Sequence, residues 1–217
     1  MHILLTRPLE DCSELIIKFK SLGHQVSHLP LIKIDMVEYP KINCSDFGGI
    51  IFTSANAIKF FDLVKIDKNI NCFCVGNATE RKARSLGFQN TIAAEGNVMS
   101  LKELILQNYD SREKPILYVS GETISIDLDQ QLVNEGIKVE RIINYRANHI
   151  EKFDENFVKN LKSKIPEVVY IYSQNSALSF LKFIKINQSE KLWMNTNLMC
   201  ISEKTSTILN EIKWKKI

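Results

Sequence analysis

The chain has 217 residues, of which 45% are hydrophobic and 24% are charged, and its formal net charge is +3. A chain of this size can bury a sizeable core, and its scattered lysines do not form the basic stripe typical of nucleic-acid binding. Its apolar runs are shorter than the roughly 18 residues of a membrane-spanning helix, and the first run, residues 3–5, is too short for a signal peptide. We therefore expect a soluble, cytoplasmic protein that binds neither nucleic acid nor membrane.

The cysteines indicate a reduced interior. There are five, an odd number without any Cys-x-x-Cys pair, and Cys72, Cys74 and Cys200 fall in predicted buried strands. The phosphate-binding patterns Gly-x-Gly-x-x-Gly and Gly-x-x-x-x-Gly-Lys do not occur, nor does the zinc pattern His-Glu-x-x-His. We expect no metal site and no bound cofactor.

Strands and helices alternate along the predicted chain. Apolar runs predict strands at residues 1–6, 25–29, 50–53, 116–119, 138–145 and 198–201. Apolar residues at helical spacing predict helices at residues 9–22, 99–107, 125–134, 156–163, 176–184 and 204–212. Gly23, Gly87 and Gly136 stand where a left-handed residue ends a helix before the next strand. Glycines at the ends of helices, each followed by a strand, are typical of successive βα units in a mostly parallel sheet.

One strand-turn-helix unit is especially clear. Residues 50–53 are β-favouring without polar alternation, so we expect a strand that is buried on both faces. The short polar residues Thr53, Ser54 and Asn56 then form a turn that can cap a helix, at the edge where open α/β sheets bind ligands. Three apolar residues at helical spacing predict that helix: Ile58, Phe61 and Val64.

The same unit recurs later in the chain. At one constant spacing, three residues of the first unit have counterparts in the second: Ser54 and Ser173, Asn56 and Asn175, Phe61 and Phe180. Residues 72–79 and 198–205 form a second pair of units, each with a threonine in the first turn of its helix. Two similar α/β halves would explain these pairs. The alternative is that any two doubly wound sheets share such patterns.

Several short motifs, in this order and spacing, resemble the uroporphyrinogen-III synthase family. Besides the paired turns, they are Leu4-Leu5-Thr6-Arg7-Pro8, Leu29-Pro30, Val75-Gly76-Asn77-Ala78-Thr79 and Ile143-Asn144-Tyr145. The resemblance covers nearly the whole chain. It implies an α/β fold of two similar domains, each a mostly parallel sheet flanked by helices, joined by a two-stranded antiparallel β linker with the active site in the cleft between the domains.

The resemblance also gives the expected domain boundaries. Two long, β-rich segments, residues 31–37 and 139–146, are predicted to pair as linker strands. Residues 38–143 would then form an inserted domain, and residues 1–34 and 147–217 a discontinuous one.

A synthase of this family converts the linear tetrapyrrole hydroxymethylbilane (preuroporphyrinogen) to a ring, with inversion of ring D and loss of water, in heme biosynthesis. The resemblance therefore implies a cyclising lyase that acts as a monomer without a cofactor, chiefly by holding its substrate in one conformation. The alternative is a non-catalytic two-domain binding protein for an anionic small molecule. A flavodoxin-like cofactor binder is a third hypothesis, disfavoured because the turns lack a run of hydroxyls around a phosphate.

The resemblance carries roles onto particular residues. Tyr145 is the candidate catalytic acid, with a packing aromatic as its structural alternative. The candidate substrate-binding residues are Arg7, Ser54, Ala55, Thr79, Ser173, Gln174, Lys204 and Thr205. We expect Ser54, Thr79, Ser173 and Thr205 to cap helices, and capping alone is their structural alternative, as a surface arginine is for Arg7.

The chain departs from the family pattern at three places. Lys204 replaces the first of two threonines, which exchanges a neutral donor for a cation. Ser120 stands where many members have an arginine, which would remove an anion contact. The chain also stops at Ile217, before the last strand and helix that the family usually has.

Overall fold

The computed structural model describes residues 1–64, 66–95, 97–110 and 112–217. The strands within these ranges are β1 (His2–Leu5), β2 (Gln25–His28), β3 (Ile32–Met36), β4 (Gly49–Phe52), β5 (Asn71–Val75), β6 (Thr91–Ala94), β7 (Ile116–Gly121), β8 (Val139–His149), β9 (Val168–Ile171) and β10 (Asn197–Cys200). The helices are α1 (Leu9–Ser21), α2 (Ala55–Lys59), α3 (Gly76–Ser85), α4 (Val98–Asn108), α5 (Leu128–Asn134), α6 (Glu155–Ser163), α7 (Gln174–Ile186) and α8 (Glu203–Leu209). Short 3-10 turns cover Cys44–Asp46 and Glu190–Asn195.

The chain forms two compact units. The first unit comprises Met1–Lys33 and Asn148–Ile217, and the second comprises Ile34–Ala147. Each unit has its own sheet. The chain passes from one unit to the other within β3 and again within β8.

The sheet of the first unit has four strands in the order β10-β9-β1-β2, and its neighbouring strands are all parallel. Successive residues of a strand point to opposite faces of the sheet, and both faces of this sheet are covered. Leu4 packs into a core that includes Phe180 of α7 and Trp193, while Ile3 and Leu5 pack with Cys12 of α1.

The sheet of the second unit has six strands in the order β3-β8-β7-β4-β5-β6. The strands from β8 to β6 are parallel to their neighbours. Ile50 and Phe52 of β4 face one core, which includes Ala57 and Ile58 of α2, and Ile51 faces a second core on the other side. Helices therefore cover both faces, as parallel sheets require.

The strands β3 and β8 lie side by side at the edge of the six-stranded sheet. The Val37 N–H donates to the Asn144 carbonyl (2.9 Å), and the Ile150 N–H donates to the Leu31 carbonyl (3.0 Å). Since the earlier residue of one segment pairs with the later residue of the other, the two segments run antiparallel. They are continuous with the sheet of the second unit, because β8 also pairs with β7.

The predicted fold class is confirmed: parallel sheets flanked by helices form an α/β protein. Gly23 is left-handed (φ +79°), as predicted at the end of α1. Cys72 and Cys74 are buried, as predicted, whereas Cys200 is only half buried. The prediction of Val64 as an inward-facing helical residue is wrong, because α2 ends at Lys59 and the Val64 side chain is 88% exposed.

Candidate functional site

The predicted site residues of the second unit lie at the carboxyl ends of its parallel strands, an edge that we call the carboxyl edge. The chain moves outward from β4 to β5 and β6, then returns to the other side of β4 to form β7 and β8. The strand order therefore reverses between β4 and β7, and open α/β sheets bind ligands outside the strand ends at such a point. Ser54 and Ala55 follow β4, and Tyr145 lies in register with Gly121, the last residue of β7.

Ser54 is the N-cap of α2, as predicted. Its backbone is extended and its hydroxyl oxygen accepts the Asn56 N–H (3.2 Å). Ala55 is the first residue of the helix and is partly exposed, so its amide lies at the helix N-terminus. Because α2 has five residues, its dipole is weak, and the turn contributes chiefly individual N–H groups.

The Tyr145 ring lies against the backbone of Gly121. A Cβ atom added to Gly121 would come within 2.6 Å of Tyr145 Cζ and 2.9 Å of its hydroxyl oxygen. The ring is half buried and packs against the core that contains Phe52 and Ile142. Within the described part of the chain, the Tyr145 hydroxyl makes no hydrogen bond.

Arg141 of β8 completes this edge and was not predicted from the sequence. Its Nε donates to Ser120 Oγ (2.8 Å), and its Nη2 donates to the carbonyls of Gly121 (3.0 Å) and Glu122 (3.3 Å). Its guanidinium carbon lies 5.9 Å from the centre of the Tyr118 ring. A guanidinium from β8 thus contacts the hydroxyl of Ser120, the position at which the resemblance implied the loss of an anion contact.

The first unit has a matching carboxyl edge where its strand order reverses between β1 and β9. Thr6 follows β1, is fully buried and donates its hydroxyl to the Tyr170 carbonyl (2.7 Å). The next residue, Arg7, has its guanidinium carbon 5.1 Å from the centre of the Tyr172 ring, and its Nη2 lies 3.3 Å from an Asp11 carboxylate oxygen. Arg7 is partly exposed, so it can contact a ligand.

Ser173 follows β9 and caps α7, as predicted: its hydroxyl oxygen accepts the Ser176 N–H (3.1 Å). Gln174, the first residue of α7, is exposed. Lys204, in the first turn of α8, is exposed as well. These residues lie at the carboxyl edge of the four-stranded sheet, because they follow the parallel strands β9 and β10.

The predictions that Thr79 and Thr205 cap helices are wrong. Thr79 lies inside α3 and is 5% exposed, while the N-cap position of α3 is Val75. Thr205 lies inside α8 and is 1% exposed, and the cap is Ser202, whose hydroxyl oxygen accepts the Thr205 N–H (3.3 Å). A threonine in the first turn of a helix does not reveal from sequence alone whether it precedes the helix or packs inside it.

Burial changes the acidity of the tyrosine below each arginine. Burial raises the pKa of Tyr118 above its ordinary value, and the hydrogen bond to Thr53 and the positive charge of Arg141 offset part of that rise. Burial likewise raises the pKa of Tyr172, against a smaller opposite effect of Arg7. Both phenols therefore remain neutral at physiological pH and serve as supports for the two cations.

The described residues hold no group of three or more His, Cys, Asp or Glu side chains arranged for a metal ion. Among those same residues, no helix is long and apolar enough to cross a membrane. The chemistry available at the two carboxyl edges is thus hydrogen bonding from hydroxyls and amides, the positive charge of two arginines and a lysine, and the proton of a phenol.

Comparison with known proteins identifies the family. A family model described as uroporphyrinogen-III synthase HemD matches residues 13–217. The chain belongs to the uroporphyrinogen-III synthase family. A curated relative, the porphyrin biosynthesis protein HemD of Ruminiclostridium josui, is 24% identical over 221 residues. That match covers 94% of this chain and 42% of the relative, so the chain spans less than half the length of this relative.

Solved structures of uroporphyrinogen-III synthases have the same fold. The crystal structure of uroporphyrinogen-III synthetase from Helicobacter pylori 26695 matches with a TM-score of 0.67 and 17% identity, covering 99% of this chain and 91% of that one. A mutant uroporphyrinogen III synthase from the extremely thermophilic bacterium Thermus thermophilus matches with a TM-score of 0.56 and 12% identity, covering 100% of this chain and 91% of that one. At these identities the likeness extends to the fold alone.

Proposed function

We propose that this chain is an active uroporphyrinogen-III synthase, which closes hydroxymethylbilane to the type III ring with inversion of ring D and release of one water molecule. Family membership supports this function, and the arrangement around Tyr145 is the observation that carries it. Tyr145 presents a phenol without a hydrogen-bond partner in the described residues, at the carboxyl edge of the six-stranded sheet, where Gly121 leaves room for its ring.

In this mechanism the terminal hydroxymethyl group loses its hydroxyl after accepting a proton from Tyr145. Phenols ordinarily have a pKa near 10, so they are protonated at neutral pH and can donate to a departing hydroxyl. Ring D then attacks the resulting cation through its substituted carbon, and the spiro product fragments and recloses with ring D inverted. Because the bilane closes unaided to the wrong isomer, the protein's largest contribution is the conformation that it imposes.

In this proposal the paired turns bind the carboxylates of the bilane. We assign binding to Ser54, Ala55 and Thr79 in the second unit, through hydroxyls and through backbone N–H groups at helix N-termini. In the first unit we assign it to Arg7, Ser173, Gln174, Lys204 and Thr205. Thr79 and Thr205 are buried, and the Thr205 N–H already donates to Ser202, so their part in binding is to hold the turns in shape rather than to offer their own polar groups.

We further propose that the two compact units are the two domains of the enzyme, with residues 31–37 and 139–146 as the strands that connect them. The residues assigned to binding are divided between the two units. We propose a cytoplasmic monomer that needs no cofactor, since protonation and positioning suffice for this reaction. The reduced cysteines support the cytoplasmic location.

An isomer assay tests the function. Hydroxymethylbilane is incubated with the protein, the products are oxidised, and the type I and type III uroporphyrins are separated by chromatography. We expect predominantly type III product, at a rate proportional to protein concentration. A type I product at the uncatalysed rate, together with a bilane-induced rise in melting temperature, would instead support the non-catalytic binding protein.

A further inference from the structure

We propose that Arg141 binds a carboxylate of the tetrapyrrole and so helps to fix the substrate at the carboxyl edge that carries Tyr145. This inference rests on the proposed synthase function and adds to it a residue outside the family motifs. Three observations support it: the fixed geometry of the guanidinium, the absence of a counter-ion among the described residues, and the position of Arg141 on the sheet.

The guanidinium is held from one side only. Ser120 Oγ and the carbonyls of Gly121 and Glu122 accept hydrogen bonds from Nε and Nη2, at 2.8, 3.0 and 3.3 Å. Nη1 has no hydrogen-bond partner in the described part of the chain. A planar guanidinium fixed in this way loses little further conformational freedom when a carboxylate binds to its remaining N–H groups.

Among the described residues, Arg141 forms no ion pair. All three of its acceptors are neutral oxygens, and no Asp or Glu of the described residues lies within ion-pair distance of it. By contrast, Arg84 pairs with Glu80 (2.8 Å) and Arg112 pairs with Asp110 (2.5 Å). A guanidinium without a counter-ion gains more from a substrate carboxylate than one that must first release its own partner.

The third observation is position. Arg141 and Tyr145 lie on the same strand, and both contact Gly121. The guanidinium lies over Tyr118 on one face of the sheet and donates to the Gly121 carbonyl, while the Tyr145 ring packs against the core on the other face, where a Gly121 Cβ would point. Gly121 ends β7 beside the point where the strand order reverses. A carboxylate bound by Arg141 would therefore lie at the same carboxyl edge as the phenol, across the end of β7 from it, and would anchor the substrate at that edge.

The test compares Arg141→Gln with Arg112→Gln. Both substitutions remove one guanidinium from the second unit, but Arg112 lies before β7, at the opposite end of the strand, and its side chain is 88% exposed. For Arg141→Gln we expect KM for hydroxymethylbilane to rise roughly 10- to 100-fold, the usual effect of losing a charge-assisted hydrogen bond, with a smaller change in kcat. For Arg112→Gln we expect an unchanged KM.

A purely structural role predicts a different result, namely a lower melting temperature and a lower fraction of active enzyme with an unchanged KM. That result, in a wild-type protein that makes the type III isomer, would overturn the inference while leaving the synthase function standing. If the wild-type protein makes no type III isomer, the proposed function itself fails. These two failures are therefore distinguishable.

Arg141→Lys covers the case in which Arg141→Gln does not fold. Lysine keeps the positive charge but cannot reproduce the fork that spans Ser120 and a carboxylate. We expect Arg141→Lys to fold and to raise KM about 10-fold, with the rise growing as salt is added, because a flexible ammonium is screened more easily. An unchanged KM in a folded Arg141→Lys protein would refute a specific role for the guanidinium.

Discussion

The carboxyl edges of the two units are built alike and differ in charge. Each has an arginine over a tyrosine ring: Arg7 lies 5.1 Å from the centre of Tyr172 in the first unit, and Arg141 lies 5.9 Å from the centre of Tyr118 in the second. Arg7 has a carboxylate partner, Asp11, at 3.3 Å. Within the described chain, Arg141 has only neutral oxygens as partners.

This difference separates two ways in which a protein can receive an anionic substrate. An arginine with a counter-ion must exchange one carboxylate for another, so its net gain on binding is small. An arginine without one offers its full charge, and in the second unit it shares its edge with the Tyr145 phenol, whose hydroxyl has no hydrogen-bond partner among the described residues. Under the proposed function, we expect the edge of the second unit to carry the chemistry and the stronger anion contact, and the edge of the first unit to offer mainly its capped turns.

The largest effect that this comparison predicts belongs to Tyr145→Phe. We expect type III formation to slow by roughly 10²- to 10⁴-fold, the usual contribution of a general acid, while the product remains the type III isomer because positioning is retained. Since the Tyr145 hydroxyl makes no hydrogen bond in the described residues, the free energy of unfolding should change by less than about 0.5 kcal/mol. Single-turnover kinetics and denaturant unfolding measure the two quantities.

The matched control is Tyr170→Phe in the first unit. Tyr170 is half buried, its ring packs with Phe19 and Tyr172, and its hydroxyl makes no hydrogen bond in the described chain. We expect this variant to keep the wild-type rate. Full activity in a folded Tyr145→Phe protein would remove the acid from the mechanism and leave orientation by the turns as its entire basis.

The next effect in size is that of Gly121→Ala. The added Cβ would lie 2.6 Å from Tyr145 Cζ, so the ring must move away from β7. Inserting a methyl group into a packed site typically costs about 1–3 kcal/mol of stability, and displacing a catalytic group by about 1 Å can slow a reaction roughly 10²-fold. We expect a folded but less stable protein with a rate reduced by about that factor.

A double variant tests whether Gly121 acts through Tyr145. If the alanine slows the reaction only by moving the phenol, Gly121→Ala should lower the rate of the Tyr145→Phe protein by a much smaller factor than it lowers the rate of the wild-type protein. Additive losses would show that Gly121 matters in another way, for example by letting the substrate approach the end of β7. The rates of the four proteins of this cycle, measured at saturating substrate, decide the question.

The fold could be predicted from sequence because each of its signals is local. The continuous apolar residues of β4 indicate a doubly buried strand, and Gly23 marks the end of α1 because only glycine readily adopts its positive φ. Ser54 and Ser173 were recognisable as caps, because a serine after a buried strand and before a helix has few other roles. The end of α2 was not recognisable, since Val64 continues the apolar spacing although the helix has already ended.

The site was harder to predict because it depends on neighbours across the sheet. Arg141 contacts Ser120 and Gly121 only because β7 and β8 pair in a particular register, which shifts beside Gly121. In the sequence Arg141 is one charged residue of an alternating strand. The pairing register of β7 and β8 could have revealed the role of Arg141, because it pairs Arg141 with Tyr118 and so places a cation next to a tyrosine.

The smallest predicted effect concerns Asp11→Asn and tests the comparison most directly. If Asp11 is what weakens the edge of the first unit as an anion site, removing its charge should free Arg7 to bind a substrate carboxylate. The Arg7 and Asp11 side chains are 40% and 32% exposed, and an ion pair of this kind is worth about 0.2–1 kcal/mol. We therefore expect KM to fall, by no more than about fivefold, with kcat unchanged. Because Asp11 also lies in the first turn of α1, the variant should lose about 0.3–1 kcal/mol of stability.

Glu14→Gln is the control, since Glu14 is an exposed acidic residue of the same helix without an ion pair in the described chain. A fall in KM in both variants would indicate a general effect of net charge. An unchanged KM in Asp11→Asn would mean that Arg7 does not contact the substrate, and the two edges would then differ in their ligands as well as in their charge.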